Sequence, residues 1–325
     1  MLKPFDSRVY LIGGYRMHRT QKRILVLMSS YNGQDYIETQ IRSIMDQTIG
    51  DCLILRIRDD GSKDCTVDII KRLIEEYGKR IELQVGQNLG YNASFIELLN
   101  GASGYDYYAL SDQDDVWLPS KIEYGIRILE YEDNKIPLLY SSTSFLVEDD
   151  LKPYGQTRRK QRRFTIYNTA IQNICPGHTQ IFNNVLLKII QNENIDPGRL
   201  YVYDSWITNL ALLYGKILFN NSSFTYYRQH KGNQFGSGVG KIGQFMASIN
   251  RDGTGDGHKY RGQIEYLVEK NRKKLKEIGA YDELKAFISA KTMKQKHEYL
   301  KHSKLYRQSM AETLVFYLAV MIGKF

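Results

Sequence analysis

Blocks of apolar and polar residues alternate along the first third of the chain. Arg23-Ile-Leu-Val-Leu-Met28 is a branched apolar run that ends in polar Ser29-Ser-Tyr-Asn-Gly33, the pattern of a buried strand feeding a loop. Ile37, Ile41, Ile44 and Met45 then recur at helical spacing, which gives a helix one apolar stripe to lay on a sheet. The sequence repeats this scheme. Leu53 to Ile57 reads as a second strand broken by Arg58-Asp-Asp-Gly-Ser62, and Val67, Ile70, Leu73 and Ile74 mark a second helix. Ile81 to Val85 predicts a third strand, Gln87-Asn-Leu-Gly90 a turn, Ala93 to Leu99 a third helix and Tyr105 to Leu110 a fourth strand. Strand alternating with helix at this spacing predicts an α/β fold, a mainly parallel sheet with helices on both faces. Ligands of such sheets sit at the carboxyl ends of the strands, where Ser29 to Gly33, Asp59 to Ser62 and Asp112 to Asp115 all fall.

The fourth strand runs into Ser111-Asp-Gln-Asp-Asp115. Three carboxylates so close repel one another unless a cation or strong donor neutralises them, and Mg2+ or Mn2+ suits oxygen ligands that are shared with phosphates. The plain alternative is a solvated acidic turn capping a helix that begins near Pro119.

Seven segments resemble a known family in the same order: Met28-Ser-Ser-Tyr-Asn-Gly-Gln-Asp-Tyr-Ile37, Arg58-Asp-Asp-Gly-Ser-Lys-Asp64, Asn88-Leu-Gly90, Leu110-Ser-Asp-Gln-Asp-Asp-Val-Trp-Leu-Pro119, Cys175-Pro-Gly-His-Thr179, Asp204-Ser-Trp206 and Tyr227-Arg-Gln-His230. Together they resemble the inverting family-two glycosyltransferases of the Rossmann-like GT-A fold, within them the bacterial rhamnosyltransferase-like group. The resemblance covers residues 23–235. It implies that Ser29 and Tyr31 line the nucleotide base, that Asp60 hydrogen-bonds base or ribose, and that Asn88 lies on the donor side. It also implies that Asp112-Gln-Asp114 is the family's Asp-x-Asp element, with Asp114 the direct metal ligand and Asp112 on the ribose or a metal-bound water. Physically, Tyr31 offers a flat face for a pyrimidine. A metal bridging the phosphates would stabilise charge on the leaving nucleoside diphosphate.

An inverting transfer needs one base to take the acceptor hydroxyl's proton. Asp204 stands where the family carries its base, at the start of an apolar helical pattern with Trp206, Ile207 and Leu210; it can equally serve as the N-cap. Trp206 reads more readily as packing than as an acceptor platform. In the family the segment around Tyr227 to His230 closes over the pyrophosphate, which implies Arg228 as a charge-assisted phosphate contact and His230 as a further metal ligand or phosphate donor. His178 reads as acceptor-side or structural.

Composition narrows the rivals. The chain has 325 residues, 42% of them apolar and 25% charged, ordinary for a globular protein. Cys52, Cys65 and Cys175 show neither zinc spacing nor a disulfide framework, which favours a reducing compartment. Residues 1–22 lack the apolar core of a signal peptide and read as an N-terminal extension, with Met17 a conceivable start. Residues 236–262 read as a glycine-rich loop or linker. Its Gly236-Ser-Gly-Val-Gly-Lys241 fails the phosphate-loop pattern, because Phe235 replaces the first glycine and Ile242 the Ser or Thr. Residues 263–325 read as a long, basic, helical tail ending in nine apolar residues, Leu314 to Ile322, far short of the roughly twenty needed to span a bilayer.

With a net charge of +9 and basic clusters at Arg158 to Arg163 and Lys291 to Arg307, the tail reads as a helix lying on anionic lipid at the inner face of the cell membrane. Its alternative is a helix packed on the catalytic domain or on a second copy of the chain, which would make a homo-oligomer. Nucleic acid is a poorer account of the charge, because no binding module accompanies it. The reading is a metal-dependent inverting glycosyltransferase using Mn2+ or Mg2+ on a nucleotide-sugar donor and a lipid-linked oligosaccharide acceptor in cell-surface or capsular polysaccharide synthesis. Subgroup resemblance favours dTDP-rhamnose; a UDP-hexose or UDP-N-acetylhexosamine would use the same phosphate site. A non-catalytic nucleotide-sugar-binding component of an assembly complex is the rival from another class. A nucleotidyltransferase is disfavoured because Ser29 to Asp35 contains no Lys or Arg.

Overall fold

The computed structural model describes residues 22–157, 162–230 and 256–325, with side chains of the last segment from residue 259. Most of the expected N-terminal extension, Arg158 to Lys160 and the glycine-rich Gly236 to Lys241 lie outside the described residues. The first strands are β1 (Ile24–Ser30), β2 (Leu53–Asp59), β3 (Ile81–Val85), β4 (Tyr107–Ser111) and β5 (Val116–Trp117). They are followed by β6 (Leu138–Val147), β7 (Pro153–Gln156), β8 (Ile181–Asn183) and β9 (Lys216–Arg228). All join one nine-stranded sheet in the order β3-β2-β1-β4-β8-β6-β9-β5, with β7 paired to β6.

The four strands read from periodicity form the parallel part, β3-β2-β1-β4. Beyond it the sheet is mixed: β4 and β6 both pair with β8 antiparallel, β5 pairs with β9 antiparallel, and β6 pairs with β9 in parallel. Alternation along β1 and β4 divides the interior into two cores. Leu25, Leu27, Tyr108 and Leu110 face one; Ile24, Val26, Met28, Tyr107 and Ala109 face the other. Each buried Leu or Ile there contributes on the order of 1.5–3 kcal/mol.

Helices α1 (Ile37–Met45), α2 (Thr66–Tyr77) and α3 (Tyr91–Asn100) follow the first three strands, and α4 (Lys121–Glu130) follows β5. Next come α5 (Ile166–Thr169), α6 (Asn184–Asn192) and α7 (Tyr203–Tyr214). The C-terminal region is five helices, α8 (Asp256–Lys270), α9 (Arg272–Glu277), α10 (Tyr281–Ser289), α11 (Met293–His302) and α12 (Met310–Met321), where the sequence suggests one long tail from Gln263. Gly279 at φ +71° turns the chain between α9 and α10, a conformation that favours glycine. Thr292 closes a capping box with Gln295, and Ser309 accepts from the Glu312 backbone N–H, so α11 and α12 start anew.

Helix α8 begins inside the stretch expected to be a linker. Its Ile264, Tyr266 and Leu267 share one core with Trp206 and Leu210 of α7 and with Phe287, Phe316 and Val320. The tail thus completes the interior of the α/β domain. On the other side of α12, Met310, Leu314, Leu318 and Ile322 are exposed at 78%, 61%, 52% and 59%. Their four-residue spacing makes one apolar stripe. Among the described residues no helix is long and apolar enough to cross a membrane.

Candidate active site

The parallel strands β1, β2 and β4 end side by side, with Ser29 in register with Arg58 and Met28 with Ser111. Their loops meet at one rim. Tyr31, 42% exposed, is held by a two-way clasp: its backbone N–H donates to Gln113 Oε1 at 2.8 Å and its carbonyl accepts from Gln113 Nε2 at 3.0 Å. The clasp explains Gly33, since a Cβ there would meet Gln113 Oε1 at 2.3 Å. Thus the middle residue of Asp112-Gln-Asp114 locks the β1 loop to the acidic segment.

Asp60 is buried. It accepts from the Arg58 guanidinium and from the Leu89 and Gly90 backbone N–H groups, the latter two each at 2.9 Å. Arg58, itself buried, also donates to Glu97 at 2.8 Å and to Ser94 Oγ at 3.1 Å, and Ser94 bonds Ser29 Oγ at 2.6 Å. The network therefore ties the turn holding exposed Asn88 to the floor under Ser29 and Tyr31. Asp60 thereby fastens the Leu89–Gly90 turn beneath the rim, and its Oδ2 accepts only the Gly90 N–H among these bonds.

The acidic segment splits into two groups. Asp112, Asp115 and His178 bring ligand atoms within 4.8 Å of one another. Asp114 instead faces His230, whose Nε2 lies 2.9 Å from Asp114 Oδ2. The sequence groups Asp112 with Asp114 and His230; in the structure the first carboxylate turns to the opposite partner. His230 stacks on Tyr36 at 4.6 Å, and the Arg228 guanidinium lies 4.8 Å from that same ring while its Nε donates to the Asp114 carbonyl at 2.9 Å.

Asp115 is fully buried, and burial, reinforced by Asp114 and Asp112, pushes its carboxyl well above the usual range. Below it Lys121 is equally buried, which holds its ammonium well below the usual lysine range. Lys121 donates to the His178 carbonyl and lies 3.6 Å from the centre of the Trp117 ring. Asp115 Oδ2 has no hydrogen-bond partner among the described residues. An orphaned buried acceptor costs about 1–3 kcal/mol, more if charged. Two carboxylates and an imidazole are a donor set that fits a divalent Mn2+ or Mg2+, which would satisfy that oxygen.

Two further candidates have defined places. The sequence reads His178 as acceptor-side or structural; its buried ring is fixed by Ser144 Oγ at 2.9 Å and by stacking on Tyr227 at 4.5 Å, with Nδ1 3.7 Å from Asp112 and 3.8 Å from Asp115. Its place is in the acidic cluster. Trp206, read from sequence more readily as packing than as an acceptor platform, is fully buried and stacks on Tyr266 of α8 at 4.8 Å, which closes the acceptor-side alternative. It is a core residue.

Asp204 sits in the first turn of α7, only 6% exposed. Asn173 Nδ2 reaches both its oxygens, at 3.0 and 2.9 Å; the Ser205 N–H donates to Oδ1 at 2.6 Å and the Gly177 N–H to Oδ2 at 2.7 Å. Burial pushes the Asp204 carboxyl up to about 6 against these bonds, with Asp112 adding to the rise. A carboxylate titrating there is matched to accepting a proton near neutral pH. Sequence reading missed Asn173, Gln113, Lys121 and Ser144. A lone amide, lysine or serine carries no motif: Gln113 stands in the acidic segment with no role read from the sequence, and only the fold brings Asn173, Lys121 and Ser144 to the site. Asp115 stands in the acidic segment, but nothing in the sequence marks it as the buried member.

Comparison with known proteins identifies the family and the fold. The sequence model described as Glycosyl transferase family 2 matches residues 25–187. The chain is 28% identical over 256 residues to the dTDP-rhamnosyl transferase RfbG of Shigella flexneri, covering 74% of this chain and 83% of that protein. It is 27% identical over 191 residues to an uncharacterized glycosyltransferase of Methanocaldococcus jannaschii, covering 58% of this chain and 64% of the relative. Among solved structures, S. aureus TarS 1–349 in complex with UDP-GlcNAc superposes with TM-score 0.52 at 17% identity, covering 85% of this chain and 83% of that one. The mannosyltransferase PcManGT from Pyrobaculum calidifontis in complex with GDP-Man and Mn2+ gives TM-score 0.51 at 15% identity, covering 94% and 81%. At such identities the superpositions speak for the fold alone.

Proposed function

The chain belongs to glycosyl transferase family 2, and from that premise we propose an inverting, metal-dependent enzyme that moves a sugar from a nucleotide donor to a lipid-linked oligosaccharide. The observation that carries this reading is Asp204, a buried carboxylate pushed up to about 6 at the start of α7, close enough to Asp112 to feel its charge. A non-catalytic donor-binding protein has no use for a base so placed.

In this reading Tyr31 and Ser29 receive the nucleotide base, on the rim that Asp60 and Arg58 fasten. Asn88 lies beside it. Arg228 and His230 flank the diphosphate, backed by Asp114 and Tyr36. Asp112 is the metal ligand we assign first, with Asp115 and His178 beside it, and a bound Mn2+ or Mg2+ would supply charge neutralisation of the leaving diphosphate. Asp204 takes the acceptor hydroxyl's proton as that oxygen attacks the anomeric carbon. The bond to the diphosphate breaks on the far side, and its electron pair leaves with the nucleotide.

The likeness to RfbG supports dTDP-rhamnose as donor. Donor turnover across a panel of dTDP-, UDP- and GDP-sugars tests this choice against the hexose alternatives.

The exposed stripe of α12 supports an acceptor held at a membrane surface of anionic lipid. Leu314→Glu combined with Leu318→Glu, at positions 61% and 52% exposed, leaves the buried Phe316 and Val320 face intact. The double variant is expected to stay folded, to sediment no longer with anionic vesicles and to keep its turnover of a short soluble acceptor. Unchanged vesicle binding would refute the membrane role; loss of a dimer in light scattering would assign the stripe to a second copy of the chain.

A further inference from the structure

The carboxylate of Asp204 is saturated. It accepts four contacts, two on each oxygen, and a carboxylate has about four lone-pair sites. Two of the donors are backbone N–H groups. That of Gly177 opens a 3₁₀ turn and that of Ser205 lies in the first turn of α7, so neither can withdraw without unmaking local structure. The other two contacts come from one atom, Asn173 Nδ2, nearly equidistant from both oxygens and therefore near the bisector of the carboxylate. An acceptor hydroxyl that gives its proton to Asp204 has to take a place now held by this amide.

A second observation concerns the other end of this amide. Its own carbonyl, Oδ1, is buried and has no hydrogen-bond partner among the described residues, a state it shares with other buried polar atoms such as Trp206 Nε1 and Asn209 Oδ1. No bond to Oδ1 holds the amide in place, so its contact with Asp204 can be given up without breaking a second one. The Asn173 backbone is anchored from the C-terminal helices: its N–H donates to the Tyr260 hydroxyl at 3.0 Å, and the Tyr260 ring stacks on Phe325 at 5.8 Å. The loop is held while the amide retains an unsatisfied end.

We propose that Asn173 is the positioning residue of Asp204, holding the resting carboxylate aligned and ionised and yielding its contact when the acceptor hydroxyl arrives. The inference rests on Asp204 being the base. Besides Asn173, the groups that act on the carboxylate's charge are the Gly177 and Ser205 N–H groups, which favour the ionised form, and Asp112, which raises its proton affinity; the neighbouring Tyr203 is itself kept protonated by burial. Neither the Asp112 nor the Tyr203 side chain donates to Asp204, so among the described residues Asn173 is the one side chain whose hydrogen bonds favour the ionised form.

The test is Asn173→Leu in the full chain, read by transfer to acceptor, donor affinity and the pH dependence of transfer. Donor affinity should stay within about twofold, transfer at pH 7 should fall roughly ten- to hundredfold, and the acid limb should move up by about one pH unit. Asn173→Asp keeps the shape should the Leu variant fold poorly; with a second carboxylate against the first, its acid limb should move the same way. In an Asp204→Asn background the Leu change should cost nothing further, since the carboxylate it serves is gone. A folded Leu variant with wild-type transfer, or one that loses activity equally at every pH with the limb unmoved, would overturn the proposal. If Asp204→Asn itself transfers normally, the assignment of the base fails, whatever Asn173 does.

Discussion

Asp204→Asn is expected to lower transfer by roughly two to four orders of magnitude while the donor still binds, because it removes the proton acceptor and keeps the shape at the start of α7. The replacement amide finds partners. Its one carbonyl oxygen can accept from either the Ser205 or the Gly177 N–H, which bond different oxygens of the carboxylate, and Asn173 can turn its Oδ1 toward the new NH2 group while the other N–H loses its acceptor. Stability should move the opposite way to activity. The folded value of about 6 lies above the roughly 3.9 of an unfolded Asp, so folding favours the protonated form. That contribution is complete below about pH 4 and is lost as pH rises through 6. Above that, keeping an ionised buried carboxylate costs up to about 3 kcal/mol. The Asn variant, which does not titrate, should therefore gain in melting temperature relative to wild type between pH 4 and pH 7–8, whatever constant cost the lost N–H acceptor adds at both. Calorimetric donor titration, thermal melts at both pH values and a transfer assay at saturating acceptor check the three parts; near-normal transfer would place the base elsewhere.

Asp112→Ala is expected to cut donor turnover by roughly 10²–10³ and to abolish its response to added Mn2+. Asp112 is the one carboxylate common to the sequence-read Asp-x-Asp element and to the cluster that the fold assembles with Asp115 and His178. Its loss removes a ligand and relieves the repulsion on Asp115, so the fold should survive. Excess chelator on the wild-type protein should cause a similar fall, and re-addition of Mn2+ should restore wild type alone. Full turnover in chelator would reject the metal assignment.

The order of strands and helices up to β4 was legible because each buried strand and its covering helix repeat the same apolar spacing, and because Asp-Gly and Asn-Leu-Gly turns punctuate them. The rim followed, since carboxyl ends of parallel strands are fixed by that alternation. What stayed hidden depends on long-range contacts. His178 reads as a lone histidine until the turn Gly177–Thr179 packs beside β4 and Lys121 reaches its carbonyl. Lys121 looks like an ordinary basic residue near a helix start, yet it is buried beneath Asp115. Trp206 could be a platform or a core side chain until α8 covers it. In α12, nine apolar residues are equally consistent with lipid on one side or core on the other; the structure gives Phe316 and Val320 to the core and leaves Leu314 and Leu318 outside.

Inverting transfer from a sugar nucleotide, with Asp204 as base, is decided by NMR of the product formed from the best donor in the sugar-nucleotide panel. With Mn2+ and acceptor present, dTDP-rhamnose should turn over to a new glycosidic bond of anomeric configuration opposite to the donor's, and the Asp204→Asn variant should give no such signal. A product that keeps the donor's configuration, or one formed equally well by that variant, would refute the assignment.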